Sequence, residues 1–205
     1  MAKINFADIV RTGFDQDALV TTTPGDLVIN FGHLTTTGDL GNGIFAGAND
    51  VSIRHFGSIV TSGDGAAGIY VQDEDARIDN HGSVVTTGNF YGDFLFFAEG
   101  IFAEGNRFHI TNHGSVRVEG ESSSGLVGAG ADGLIINYGV VDSSATNSAV
   151  VIAFGDRSQA INAGLVTSRG ESNSVLQAVG EDASALNRGE ILVTGDATVG
   201  IQGGS

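Results

Sequence analysis

Residues 80–88 read NHGSVVTTG and residues 112–120 read NHGSVRVEG. Related Asn-x-Gly units begin at Asn30, Asn137, Asn162 and Asn187, with His55 replacing the asparagine once and Asn5 opening the series in NFAD. Successive starts are 25 residues apart, except that 32 residues separate Asn80 from Asn112. A fixed period this short is the signature of stacked repeats, in which each unit buries its apolar face only against its neighbours.

With each Asn numbered as position 1, the columns of the repeat become visible. Position 3 is Gly in all copies but the first, and position 9 is Gly everywhere except at Ala145. Position 5 is always aliphatic, from Ile9 and Leu34 to Val166 and Ile191. Position 15 (Leu19, Ile44, Ile69, Ile101 and their equivalents) and position 24 (Val28, Ile53, Ile78, Ile110) are apolar as well. Three short β-branched runs per unit, separated by Gly and Asn, are too brief for helices and read as strands joined by corners. The glycines are expected to supply positive φ at those corners. The chain is therefore predicted to be all-β: one parallel β-helix (β-solenoid) over residues 1–205, continuing or capped by another subunit or domain beyond 205. It should hold about eight coils of 25 residues, three short strands per coil and a 7-residue insertion within 89–100. At roughly 4.8 Å per coil the rod would be about 38 Å long. The asparagines should stack into an inward amide ladder.

The pattern N-x-G-x-[IV]-x-T-x-G resembles the glycine-rich repeats of bacterial autotransporter passengers and type I-secreted adhesins. That resemblance implies a parallel β-helix and an extracellular or cell-surface location. It implies an adhesin-like or rod-like role, although β-helices of the same kind also carry enzymes acting on polysaccharides.

Composition narrows the field further. Nine basic residues stand against 24 acidic ones, for a net charge of −15, which argues against nucleic acid as a partner. The chain has no cysteine, so it has neither disulfides nor thiolate metal sites. The opening MAKINFADIV lacks the apolar core of a Sec signal peptide, and no stretch is long enough for a transmembrane helix.

Two features point to a site. Position 16 reads Val20, Phe45, Tyr70, Phe102, Val127 and Ile152, an apolar and aromatic stripe on an outward-facing strand position. The insertion brings Phe90, Tyr91, Phe94, Phe96 and Phe97 to the same side. These aromatic residues are the expected ligand- or partner-binding surface. It is either a hydrophobic clip or one wall of a pocket for a carbohydrate or other small ligand. Asp73, Asp93, Glu99 and Glu104 are available as a carboxylate pair for acid–base work. Arg77 and His109 share a coil position in adjacent coils, so Asp93, Glu104, His109 and Arg77 are the candidate catalytic set, suited to an acidic or sugar-like ligand.

Metal binding has a weaker basis. Asp39 and Asp64 stack in position 10 and are the best calcium candidates, and no other cofactor is expected. His81 and His113 fall in a column that is otherwise aromatic (Phe6, Phe31, Phe56, Tyr138), which favours a ring ladder over a metal site. Arg54 lies one coil below Asp79 and should pair with it. A second apolar patch, Leu134, Ile136, Ile161 and Leu186, together with the first, favours a homo-oligomer with rods packed side by side.

Overall fold

The computed structural model describes residues 1–92, 97–171, 173–195 and 199–203. Three parallel sheets of eight strands each wind into a β-solenoid. The first sheet runs from Ala2–Asn5 to Ser184–Asn187, the second from Ile9–Arg11 to Glu190–Val193, and the third from Leu19–Thr21 to Val199–Gln202. Every strand pairs with its equivalent one coil away, in the register that the repeat predicts: Ile44 lies beside Ile69, and Asn80 beside Asn112. The 32-residue unit keeps this register, so its extra residues leave the coil as a loop and return without shifting a strand.

Strand residues alternate between core and surface. Leu34, Ile44, Ile53, Ile59, Ile69, Ile78, Ile101 and Ile110 are almost wholly enclosed, and they belong to one continuous core along the rod. Stacking like upon like lets each aliphatic side chain lie against its copies above and below, which fills a narrow interior without voids. Phe108 is the exception in size. Its ring fills the space that a Cβ on Gly128 or Gly133 would occupy, so one large residue is matched by two glycines.

The asparagine ladder forms and is continuous on both sides of His55. Asn80 Nδ2 donates to Asn112 Oδ1 (2.7 Å), Asn112 to Asn137 (2.8 Å), Asn137 to Asn162 (2.9 Å) and Asn162 to Asn187 (2.8 Å). The same amides cap corner carbonyls, as Asn137 does at Gly139 and Leu165. Buried amides are thereby satisfied without water.

Some corner glycines supply the expected positive φ, among them Gly105, Gly130, Gly155 and Gly180 at φ 114–155°, and the others have a different physical basis. Those at positions 3 and 9 do not adopt positive φ. They are required by close approach, because a Cβ on Gly57 would strike the Gly32 carbonyl and one on Gly63 the Gly38 carbonyl. The left-handed backbone falls instead at position 21, on Asp50, Asp75, Arg107, Asp132, Arg157 and Asp182, with φ between 56° and 61°. Position 11 adopts it too, at Asp15, Leu40, Ser122 and Asn147. Asp and Asn tolerate this region, whereas Leu and Arg enter it at a cost of about 1–2 kcal/mol. At position 21 the two arginines clamp the aspartates one coil below: Arg107 binds Asp75 through Nε and Nη2, and Arg157 binds Asp132 likewise.

Candidate functional site

The aromatic stripe lies on the outer face of the third sheet. Phe45, Tyr70 and Phe102 are register neighbours there, flanked by core residues such as Ile44 and Ala46. Tyr70 and Phe102 stack with centroids 5.1 Å apart and planes only 2° from parallel. Phe45 is tilted by 53° from Tyr70, so its ring face is not covered by its neighbour. Farther up, Val127 and Ile152 are buried in a small cluster of their own with Phe102 and Ala149, although Val127 still lines the cleft described below.

The insertion runs back down the rod beside this stripe. Phe90 and Phe97 meet at 5.3 Å across its base, and Tyr91 reaches Phe14 in the first coil at 6.2 Å. The insertion thus brings a residue of the fourth coil beside the first. On the outer face of the third sheet lies a cleft of about 700 Å³, which has Phe45, Tyr70, Phe97 and Phe102 in its walls. Asp93, Phe94 and Phe96 lie outside the described residues.

The polar groups of the cleft are acidic. Asp15, Asp17, Glu99 and Glu104 line it, and among the described lining residues there is no Lys, Arg or His. Tyr70 donates its hydroxyl to Glu104 Oε2 at 2.7 Å. Burial, and then the bond to that carboxylate, raise the Tyr70 pKa well above the usual phenol range. Glu99 is nearly enclosed and accepts the Ser124 N–H, and burial pushes its carboxyl up to about 8. Asp17 is raised too, by burial first, against the lowering effect of its bonds to Asn42. The cleft thus holds a carboxyl whose protonated form is favoured at neutral pH, and Glu104 lines the same cleft. General acid–base chemistry is built from such pairs.

One column explains the floor of the cleft. Position 13 carries Asp17, Asn42, Ala67, Glu99 and Ser124 in successive coils. The Asp17 side chain accepts the Asn42 backbone N–H at 2.7 Å, and Asn42 accepts that of Ala67 at 2.9 Å. Ala67 is too short to continue the chain of bonds, and it leaves space beneath Glu99. The column was legible in the sequence, but its inward tilt toward the stripe was not. Asp17 and Leu40, which also lines the cleft, carry no sequence signal of a site.

The remaining catalytic candidates do not converge with Glu104. Arg77 and His109 are register partners, but in the first sheet, where they border a separate shallow depression with Arg54 and Asp79. Their separation follows from topology: strands of the first and third sheets occupy different faces of each coil. Burial and the nearby Arg77 hold the His109 pKa below its ordinary value. Asp73 sits at a corner with φ 95° and is not part of the cleft wall. The expected Arg54–Asp79 pair does not form. The two residues are register partners, yet Asp79 turns to His81 and His113 instead. Asp39 and Asp64 each use Oδ1 to accept the backbone N–H one coil above, from Asp64 at 3.1 Å and Asn89 at 2.8 Å, rather than facing each other around a shared point. Leu134, Ile136 and Ile161 are half-buried and Leu186 is exposed, as a strip on the first sheet.

A family model described as the BigA third pectate lyase-like domain matches residues 46–155, just over half of the chain. The chain belongs to this family. The match spans the insertion and most of the cleft wall, and it accords with the parallel β-helix seen here. No curated protein and no solved structure matches the chain. No helix among the described residues is long and apolar enough to cross a membrane.

Proposed function

We propose that this domain is a glycan-binding, adhesin-like module of a secreted or cell-surface protein, and that the cleft on the third sheet takes a neutral sugar segment. The observation that carries this reading is the cleft itself, whose lining joins the rings of Phe45, Phe97 and Phe102 to acidic side chains and the Tyr70–Glu104 pair. Apolar ring surface beside a few fixed acceptors suits sugars, whose C–H faces lie on aromatic rings while their hydroxyls donate to carboxylates. The pectate lyase-like family name describes the fold better than the ligand. Pectate is a polyanion, and an acidic cleft with no basic residue among its described lining disfavours it.

Leu40 supports a functional cleft. A leucine with φ 60° is held in a conformation that glycine would adopt without strain, and strain of this kind is commonly retained where a side chain is needed. Its side chain forms part of the cleft wall.

The raised carboxyl of Glu99 favours a second reading, hydrolysis of the bound glycan with Glu99 as proton donor and Glu104 as its partner. Titration of the protein with neutral oligosaccharides and with polygalacturonate, followed calorimetrically and by product analysis, separates the possibilities. Binding of a neutral glycan that is lost in Phe45→Ala and weakened in Glu104→Gln, with no cleavage, supports the binding module. Cleavage abolished by Glu99→Gln would establish the enzyme. Tight binding of polygalacturonate, or no glycan binding at all, overturns the reading.

A further inference from the structure

The ring column at position 2 places two imidazoles and a carboxylate together on the outer edge of the rod. Phe6, Phe31, Phe56, His81, His113 and Tyr138 stack face to face, with the two histidines 4.7 Å apart and only 9° from parallel. His81 is held from below by Phe56 at 5.0 Å, and His113 from above by Tyr138 at 5.1 Å. Both Nε2 atoms approach the same oxygen, Asp79 Oδ1, at 3.2 Å from His81 and 3.8 Å from His113. That oxygen is shielded from solvent and accepts no hydrogen bond. A shielded carboxylate oxygen without a donor is costly unless a cation meets it.

We propose that Asp79, His81 and His113 form a binding site for a borderline transition-metal ion of the zinc class. Donor atoms about 2.0–2.1 Å from zinc at tetrahedral angles stand roughly 3.4 Å apart. The two measured edges bracket that value, and all three donor atoms lie within 4.8 Å of one another. Binding therefore requires both rings to turn out of the parallel stack until their in-plane Nε2 lone pairs converge, with a fourth position left to water.

The donor set also selects the metal. Two imidazoles and one carboxylate suit zinc, nickel or copper, whereas calcium and magnesium require mostly oxygen donors. Arg54 and Arg77 border the adjoining depression, and their positive charge disfavours a hard cation held mainly by electrostatic attraction. This site lies on the first sheet, away from the sugar cleft on the third, and it does not depend on the cleft's function.

The test is a calorimetric titration of the untagged chain with zinc chloride. The expected result is a single equivalent bound, not displaced by calcium at the same concentration. His81→Phe and His113→Phe retain the ring stack, because phenylalanine already fills this column at Phe31 and Phe56. Each should weaken zinc by more than about tenfold, the least that loss of even an outer-sphere partner costs, while leaving metal-free melting unchanged. His109→Ala, in the same depression but outside the three donors, should bind zinc as the native chain does. No zinc binding at millimolar concentration, binding that survives either Phe substitution, or loss in His109→Ala would each overturn the proposal.

Discussion

Asn30 Nδ2 donates to His55 Nδ1 at 3.1 Å, so a histidine occupies one rung of the asparagine ladder. The imidazole reproduces the amide function by function. Nδ1 accepts where an asparagine oxygen would, and Nε2–H donates to the Ser83 carbonyl at 3.2 Å, as Asn112 does to Val140. This arrangement fixes the neutral tautomer with the proton on Nε2. Burial lowers the His55 pKa from 6.5 to about 4.

The unfolded chain therefore takes up this proton before the folded one. Stability from His55 is complete above about pH 6.5 and falls as pH drops toward about 4. The loss there is about 3 kcal/mol. His55→Asn restores the repeat's own residue and should flatten this acid limb. Urea denaturation of both proteins at pH 7 and pH 4.5 checks it, and parallel acid losses would refute the assignment.

Glu99 produces a slope of opposite sign. Its carboxyl titrates at about 8 in the folded chain against 4.5 for the free group, so the unfolded chain ionises first. Its contribution is complete below about pH 4.5 and is lost as pH rises toward 8. Glu99→Gln removes the ionisation and should raise the melting temperature at pH 8.5 more than at pH 5. An equal change at both pH values would show that burial does not hold the proton there.

Leu40 should trade stability against binding. Leu40→Gly relieves the left-handed backbone at φ 60° and is expected to stabilise the fold by up to about 1 kcal/mol. The same change removes part of the cleft wall, so glycan affinity should drop. Melting temperature and binding measured on one preparation test both halves.

Phe108 and Gly133 form a size-matched pair in the core. Gly133→Ala drives a methyl group into the ring and should cost about 1–3 kcal/mol. Phe108→Ala leaves a cavity and should cost about 3–5 kcal/mol. Chemical denaturation of the two single variants and the double variant measures the coupling. A double variant no worse than Phe108→Ala alone is expected, since the clash disappears with the ring.

Much of this was legible because a solenoid converts sequence period directly into contact. Ile44, Ile69 and Ile101 lie in one column of text and in one column of the core. The Asn ladder and the Phe6–Tyr138 ring ladder could be read for the same reason, since parallel in-register strands bring equal positions together. Gly105, Gly130, Gly155 and Gly180 supply the positive φ expected of corner glycines, but those at positions 3 and 9 were placed correctly for the wrong cause. Their need comes from the carbonyl of the coil below, which no single repeat shows.

The sequence by itself determined the number of coils, the three faces and the inward and outward columns, because each follows from a local period repeated along the chain. Only the tertiary structure decided that Tyr91 meets Phe14, and that Phe97 and Glu99 join the stripe in lining a cleft. It also separated Glu104 from Arg77 and His109, and it turned Asp79 toward His81 and His113. The physical reason is common to all three. A loop outside the repeat, and side chains on an outer face, are placed by contacts between coils and across sheets, and the periodic backbone leaves those choices open.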